Sequence, residues 1–212
     1  MKIIVLMKQV ANKDAVLRIG SDEKWINEAD VAMQTNESDG YALEEALRMK
    51  EKHGGKVTVM TVGTDRAESA LRACLALGVD EACLLSDDTF KGSDQQAIGK
   101  ILSAGLKKLG EYDLILAGKQ AIDSDSAQVP GAVAAALGLP QAMFVKKFES
   151  VGDGKATVYR TTEDGYDVVE LPLPAVVSVV KEINEPRLPS LKGKMAAKKK
   201  EITKWSASDL GL

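Results

Sequence analysis

Short, nearly continuous apolar runs alternate with stretches of helical period through the first two thirds of the chain. Ile3–Lys8, Lys56–Val62, Ala82–Leu85 and Leu114–Ala117 are apolar at most positions, the pattern of parallel strands buried on both faces. Between them, Tyr41–Lys52, Arg66–Leu77 and Gln95–Leu109 predict helices. Ala42, Ala46 and Met49 recur at helical spacing in the first, and Gly78 and Gly110 follow the second and third as C-caps. Ala132–Leu137 predicts one more helix. This alternation predicts an α/β fold, a doubly wound (Rossmann-like) parallel sheet.

The pattern changes after Pro140. Ala142–Glu149, Ala156–Thr161 and Tyr166–Leu171 read as strands separated by Gly152-Asp153-Gly154 and Glu163-Asp164-Gly165. Asp-Gly pairs are hairpin signals, so an antiparallel hairpin addition is expected beside the parallel sheet. Val176–Lys181 reads as a last strand. Beyond Asn184 apolar periodicity fades, and Pro186, Pro189 and Gly193 argue against a helix. Residues 1–183 are therefore read as one α/β domain. Residues 184–212 are read as an extended arm, without a core of its own and dispensable to the fold, that embraces another polypeptide.

Composition narrows the function classes. A chain of 212 residues buries one sizeable core, and a net charge of −3 gives no general attraction to nucleic acid or anionic lipid. No apolar run approaches the ~20 residues that span a bilayer. Met1–Lys8 is too short, and too soon interrupted by Lys8, for a signal peptide, so a cytoplasmic protein is expected. Cys74 and Cys83 are separated and lack a C-x-x-C spacing, which predicts buried free thiols. The single histidine, His53, precedes Gly54-Gly55 and suits a helix C-terminus. No catalytic residue and no metal-ligand set is predicted.

Ligands of doubly wound sheets bind beyond the carboxyl ends of the strands. The loops at that edge are Gln9–Asn12, Val62–Asp65, Ser86–Asp88 and Gly118–Asp125. Asp65 and Glu68, three apart before a helix, also fit a capping box. The most informative stretch is Gly118-Lys119-Gln120-Ala121-Ile122-Asp123-Ser124-Asp125-Ser126-Ala127-Gln128-Val129-Pro130-Gly131. It joins a buried strand to a helix start, where free N–H groups and the helix dipole favour an anion. Ser126 and Gln128 add donors. Asp123 and Asp125 fit either a turn cap or a ribose hydroxyl. The stretch is neither a P-loop nor a G-x-G-x-x-G fingerprint.

Gly-Lys-Gln-Ala-Ile-Asp-x-Asp followed by Gln resembles the nucleotide-binding signature of the electron transfer flavoprotein beta subunit. A second block, Leu173-Pro174-Ala175-Val176-Val177 leading to Asn184-Glu185-Pro186-Arg187 and Lys198-Lys199-Lys200, resembles the same family's C-terminal signature. The resemblance implies an electron-carrier subunit without standalone catalysis. It would be paired with an alpha subunit, enclose that subunit's FAD, hold AMP as a structural nucleotide and serve acyl-CoA or other dehydrogenases. It carries the cofactor site onto Leu6, Asn36, Glu37, Ser38, Asp39, Val62 and the segment from Gly118 to Val129. Leu6 and Val62 would meet base or ribose, and Gln128 and Val129 the phosphate. It places a partner-docking leucine at Leu191, ringed by Arg187, Lys192 and Lys194, with Lys198, Lys199 and Lys200 as the basic cluster. A contact with the alpha subunit is the other reading of Leu191.

The chain also departs from that pattern. Asn36-Glu37-Ser38 stands where many relatives carry Asn-Pro-Phe, and Thr161 where some carry an acid. Electron-bifurcating relatives hold a second FAD in place of AMP with Gly-Asp-Thr-Ala-Gln-Val-Gly. Here Ser124-Asp125-Ser126-Ala127-Gln128-Val129-Pro130 shares only part of it, which leaves both subtypes open. An ATP-binding stress-type α/β protein would carry a late Gly-rich phosphate loop, and a nucleotidyltransferase a histidine motif. The chain has neither.

Overall fold

The structure is a computed structural model that describes the chain except residues 22, 24, 25 and 28–30. The elements run β1 (Lys2–Leu6), β2 (Gln9–Ala11), β3 (Met33–Thr35), α1 (Glu37–His53), β4 (Lys56–Val62), α2 (Glu68–Ala76), β5 (Glu81–Leu85), α3 (Gln95–Leu109) and β6 (Leu114–Gly118). They continue with α4 (Val129–Leu137), β7 (Gln141–Gly152), β8 (Lys155–Thr161), β9 (Tyr166–Pro172), β10 (Ala175–Val179), α5 (Leu191–Ala197), β11 (Thr203–Trp205) and α6 (Ala207–Leu210). One sheet has the order β11-β5-β4-β1-β6-β10-β7-β8-β9. It is parallel from β11 to β7 and antiparallel through β8 and β9.

Strand alternation divides the core into two layers. Ile3, Val5, Val57, Val59, Leu114 and Leu116 meet α1 and α2 on one face. Ile4, Leu6, Met60, Ile115 and Ala117 meet α3 and α4 on the other. After β1 the chain winds one way, through α1 to β4 and β5. After β5 it returns over the other face to β6, so the winding direction switches beside β1. The hairpin addition is present: β7 and β8 meet through Asp153-Gly154, both with positive φ (50° and 75°), the geometry of a two-residue type I′ turn.

Four expectations need correction. First, the arm is neither structureless nor separate. Gly193 lies inside α5, where a Cβ would collide with the Ala76 carbonyl, so glycine lets α5 seat closely on α2. β11 then adds to the outer edge of the sheet beside β5. Second, α1 begins at Glu37, not Tyr41; its first turn is polar and leaves no helical period to read. Third, Gln9–Asn12 is not simply a loop, because Gln9–Ala11 pairs with Met33–Thr35 in a small antiparallel sheet. Fourth, the Asp65/Glu68 capping box does not form. A 3₁₀ turn at Asp65–Ala67 leads into α2, and both carboxylates face Lys204 Nζ, at 3.1 and 3.3 Å. Cys74 and Cys83 are buried free thiols, pushed up to about 12 by burial. His53 does sit in the last turn of α1, before Gly54.

Candidate functional site

A cleft opens at the carboxyl edge of the sheet, beside the switch point. Its floor is the ends of β1, β4 and β6, through Leu6, Met7, Lys8, Val62, Ala117 and Gly118. One wall is the loop after β6 and the start of α4, with Gln120, Ala121, Ser124, Ser126, Ala127, Gln128 and Val129. The opposite wall comes from Ser93, just before α3, and from Gln95, Ile98 and Leu102 within it. The cleft is therefore two-sided in chemistry. Leu6, Val62, Ile98 and Leu102 form an apolar slot, while Ser124, Ser126 and Gln128 bring polar groups to the start of α4.

Local backbone chemistry shapes the second wall. Gln128 occupies the N-cap position of α4 without a side-chain cap bond, and Pro130 lies in the first turn. Asp125 and Ala127 both adopt left-handed φ, 51° and 52°, a conformation costing roughly 1 kcal/mol or more in a non-glycine residue. The Asp125 N–H is already given to the Ala121 carbonyl at 2.9 Å, so an anion at this corner would rely on the free N–H groups at the start of α4. The Gln120 amide braces the loop through Asp125, and Lys8 Nζ reaches Asp123 at 2.7 Å.

From the first helix, Asn36 and Asp39 contribute side chains to the same corner, and both line the cleft. Burial pushes the Asp39 carboxyl up to about 6, against the N–H groups of Lys8 and Gly118 and the side chain of Asn36, which favour the ionised form. Its ordinary value is 3.8, so the ionised carboxylate costs stability above pH 6, and that cost is relieved as pH falls through 6 toward 3.8. Lowering pH from about 7.5 to about 5 should therefore add on the order of 1 kcal/mol to the stability of the chain. Denaturant melts at the two pH values test this. Asp39→Asn should remove the rise, and an equal rise in that variant would assign it to another group. Carboxylates held below their ordinary range, Glu44, Glu51, Glu68 and Asp80 among them, lose their contribution only at lower pH.

The structure brings together Leu6, Asn36, Asp39, Val62, Gly118, Gln120, Ala121, Ser124, Ser126, Ala127, Gln128 and Val129. Six residues of the expected set lie outside the lining. Glu37 pairs with Lys13, Ser38 faces the joint below Gly118, and Lys119 stands over the Phe144 ring. Ile122, Asp123 and Asp125 serve the loop itself. The α3 wall was missed, although Asp94, which caps α3 by accepting the Ala97 N–H at 2.8 Å, marks another helix start at this edge. At the amino ends of the strands a second hollow is lined by Lys2, Lys56, Glu81 and Glu111. Those charges pair among themselves and leave none for a ligand.

The basic segment divides into residues that hold it and residues it presents. Arg187 does not ring Leu191: its guanidinium forks onto Glu44 and Glu51. Lys200 is also turned inward, donating to the carbonyls of Val79 (2.6 Å) and Asp80 (3.2 Å). Arg72 donates to the carbonyls of Ala197, Lys198 and Lys200. Left facing outward are Leu191 and Met195, one turn apart on α5, with Lys192, Lys194, Lys198 and Lys199. Leu188, just before the helix, is 91% exposed against 77% for Leu191, and the sequence reading passed over it.

Fold and cleft together define a doubly wound α/β protein with its ligand edge at the switch point. Residues 24–210 match the model of the electron transfer flavoprotein domain family. The chain is 46% identical over 211 residues to the electron transfer flavoprotein subunit beta of Thermoanaerobacterium thermosaccharolyticum, covering 99% of this chain and 80% of that protein. It is 44% identical to the caffeyl-CoA reductase-Etf complex subunit CarD of Acetobacterium woodii, covering 100% and 80%. To the electron transfer flavoprotein subunit beta of Megasphaera elsdenii it is 40% identical, covering 98% and 79%. The chain belongs to the electron transfer flavoprotein family, as a beta subunit. That membership carries an electron-transfer role, association with flavin and an alpha-subunit partner. Among the described residues no helix is long and apolar enough to cross a membrane.

Proposed function

We propose that this chain is the non-catalytic half of a heterodimeric electron carrier whose switch-point cleft holds AMP as a structural nucleotide. The observation that carries this reading is the pairing of an apolar slot with an uncapped helix start. A base fits between Leu6, Val62, Ile98 and Leu102, and a phosphate fits the first turn of α4 at Gln128 and Val129. FAD, held with the alpha subunit, would supply the electron-carrying chemistry, and this chain would help enclose it. The exposed Leu188, Leu191 and Met195, flanked by lysines, suit transient docking to dehydrogenases: apolar burial supplies affinity and charge steers encounter.

A second reading has one observation in its favour. Ala127-Gln128-Val129 is shared with bifurcating relatives, and the Acetobacterium relative is named as part of a reductase complex. In that case the same cleft would take a second FAD. Acid release and chromatography of nucleotides from the co-purified heterodimer decide the matter. One FAD with one AMP is expected, two FAD would establish the second reading, and FAD alone would overturn AMP binding. Gln128→Glu sets a carboxylate against the phosphate and should lower AMP affinity more than about tenfold. Unchanged AMP content and affinity would remove Gln128 from the site.

A further inference from the structure

The start of α1 is built in an unusual way. Asn36 holds the N-cap position yet makes no cap bond to its own helix, the ordinary task of an asparagine there. Its amide reaches the loop after β6 instead: Nδ2 donates to the Gln120 carbonyl at 2.9 Å, and Oδ1 accepts the Ile122 N–H at 3.1 Å. Three residues on, Asp39 Oδ2 accepts the Lys8 N–H at 2.8 Å and Oδ1 the Gly118 N–H at 3.1 Å. One carboxylate thus ties the ends of β1 and β6, the adjacent strands at the switch point. Both residues are buried, at 1% and 6% exposure. Gly118 completes the joint, because a Cβ there would lie 2.6 Å from the Asp39 nitrogen and from Oδ1.

A buried carboxylate is costly even when it accepts two N–H groups, as burial still raises the Asp39 carboxyl here. An asparagine would avoid the charge but would turn an NH2 toward one donor. The pair therefore grips the root and middle of the loop from behind. We propose that Asn36 and Asp39 are positioning residues, a two-pronged clasp from α1 that sets the Gly118–Asp125 loop for the nucleotide's phosphate. This rests on the nucleotide reading above and adds a task for side chains that spend their hydrogen bonds on protein backbone. The apolar slot of Leu6, Val62, Ile98 and Leu102 does not depend on the clasp, which makes the effect selective for the phosphate end.

Selectivity supplies the test. The heterodimer, stripped of nucleotide, is titrated calorimetrically with AMP and with adenosine, as wild type and as Asp39→Asn. Loss of one charge-assisted bond at the joint should weaken AMP by about tenfold or more. Adenosine affinity should stay within about twofold, and the denaturation midpoint at neutral pH should not fall. Unchanged AMP affinity, or equal losses for both ligands together with a lower midpoint, would overturn the clasp while leaving the cleft a nucleotide site. A wild-type heterodimer that binds neither ligand would overturn the nucleotide reading itself, and the clasp's task with it. If Asp39→Asn does not assemble, Asn36→Ala must show the same split between AMP and adenosine, and its absence there overturns the proposal.

Discussion

Arg187→Ala should loosen the carboxyl-terminal segment and cost about 2–3 kcal/mol of stability. Glu44, on the buried side of α1, keeps a side chain only 4% exposed. Arg187 donates to it three times, from Nε at 2.8 Å and from its backbone N–H and a terminal nitrogen at 3.1 Å each. Burial pushes the Glu44 carboxyl up, but Arg187 and Arg48 together hold it below the ordinary range. Removing one partner of a buried ion pair costs about 3–5 kcal/mol, because the other charge is left uncompensated. Arg48 remains at 2.8 Å, which sets the expectation at the low end or just below it. Denaturant unfolding of the variant measures the loss, and a change under about 0.5 kcal/mol would make this an ordinary surface pair. Glu44→Gln combined with Arg187→Ala should cost less than the sum of the single changes, since no buried charge is then orphaned. Asn184 shares the anchorage, donating to the Tyr41 carbonyl and to Glu45. If dehydrogenases dock at Leu188 and Leu191 as proposed, electron transfer from such a partner should slow in Arg187→Ala, because Leu188 adjoins the released residue and Leu191 lies four further on.

The parts of this molecule legible in its sequence are those written in local pattern. β1, β4, β5 and β6 are buried on both faces along most of their length, so they are apolar at most positions, and Asp153-Gly154 encodes its own turn chemistry. The carboxyl edge was legible too, since strand–helix alternation places each strand-to-helix loop there. The far wall of the cleft was not, because Gln95–Leu109 shows only a helical period, and only tertiary packing turns Ile98 and Leu102 to the slot. Nor was the task of Asn36 and Asp39. Their partners lie 79 to 86 residues away for the loop and 31 for Lys8, and no local period records them. The carboxyl-terminal segment was misread for a related reason. α5 has only seven residues and buries little beyond Ala197, too short a stripe to register as amphipathic, and β11 is three residues whose strand character comes from β5.

Removing Glu201–Leu212 should damage the fold itself, against the expectation that the arm is dispensable. Thr203, Lys204 and Trp205 pair with Cys83, Leu84 and Leu85, and the Trp205 carbonyl accepts the Ser86 N–H at 2.9 Å. Trp205 and Leu210 pack on the layer that holds Leu85, Leu102 and Leu106, while Ile202 packs on the opposite layer. Lys108 stands over the Trp205 ring and donates to the Asp209 carbonyl at 2.7 Å. Asp87 accepts the Ala207 N–H at 3.0 Å. Three large apolar side chains, each partly buried, contribute roughly 4–6 kcal/mol between them, a large fraction of the stability of an ordinary domain. The truncation would also strip β11 from β5 and leave a flat apolar edge, Ala82-Cys83-Leu84-Leu85, open to pairing with other chains. The expected result is a chain with a sharply lowered denaturation midpoint that sediments as aggregates, before any question of the alpha subunit arises. A truncated chain that stays monomeric with a wild-type midpoint would return this segment to the status of a detachable arm.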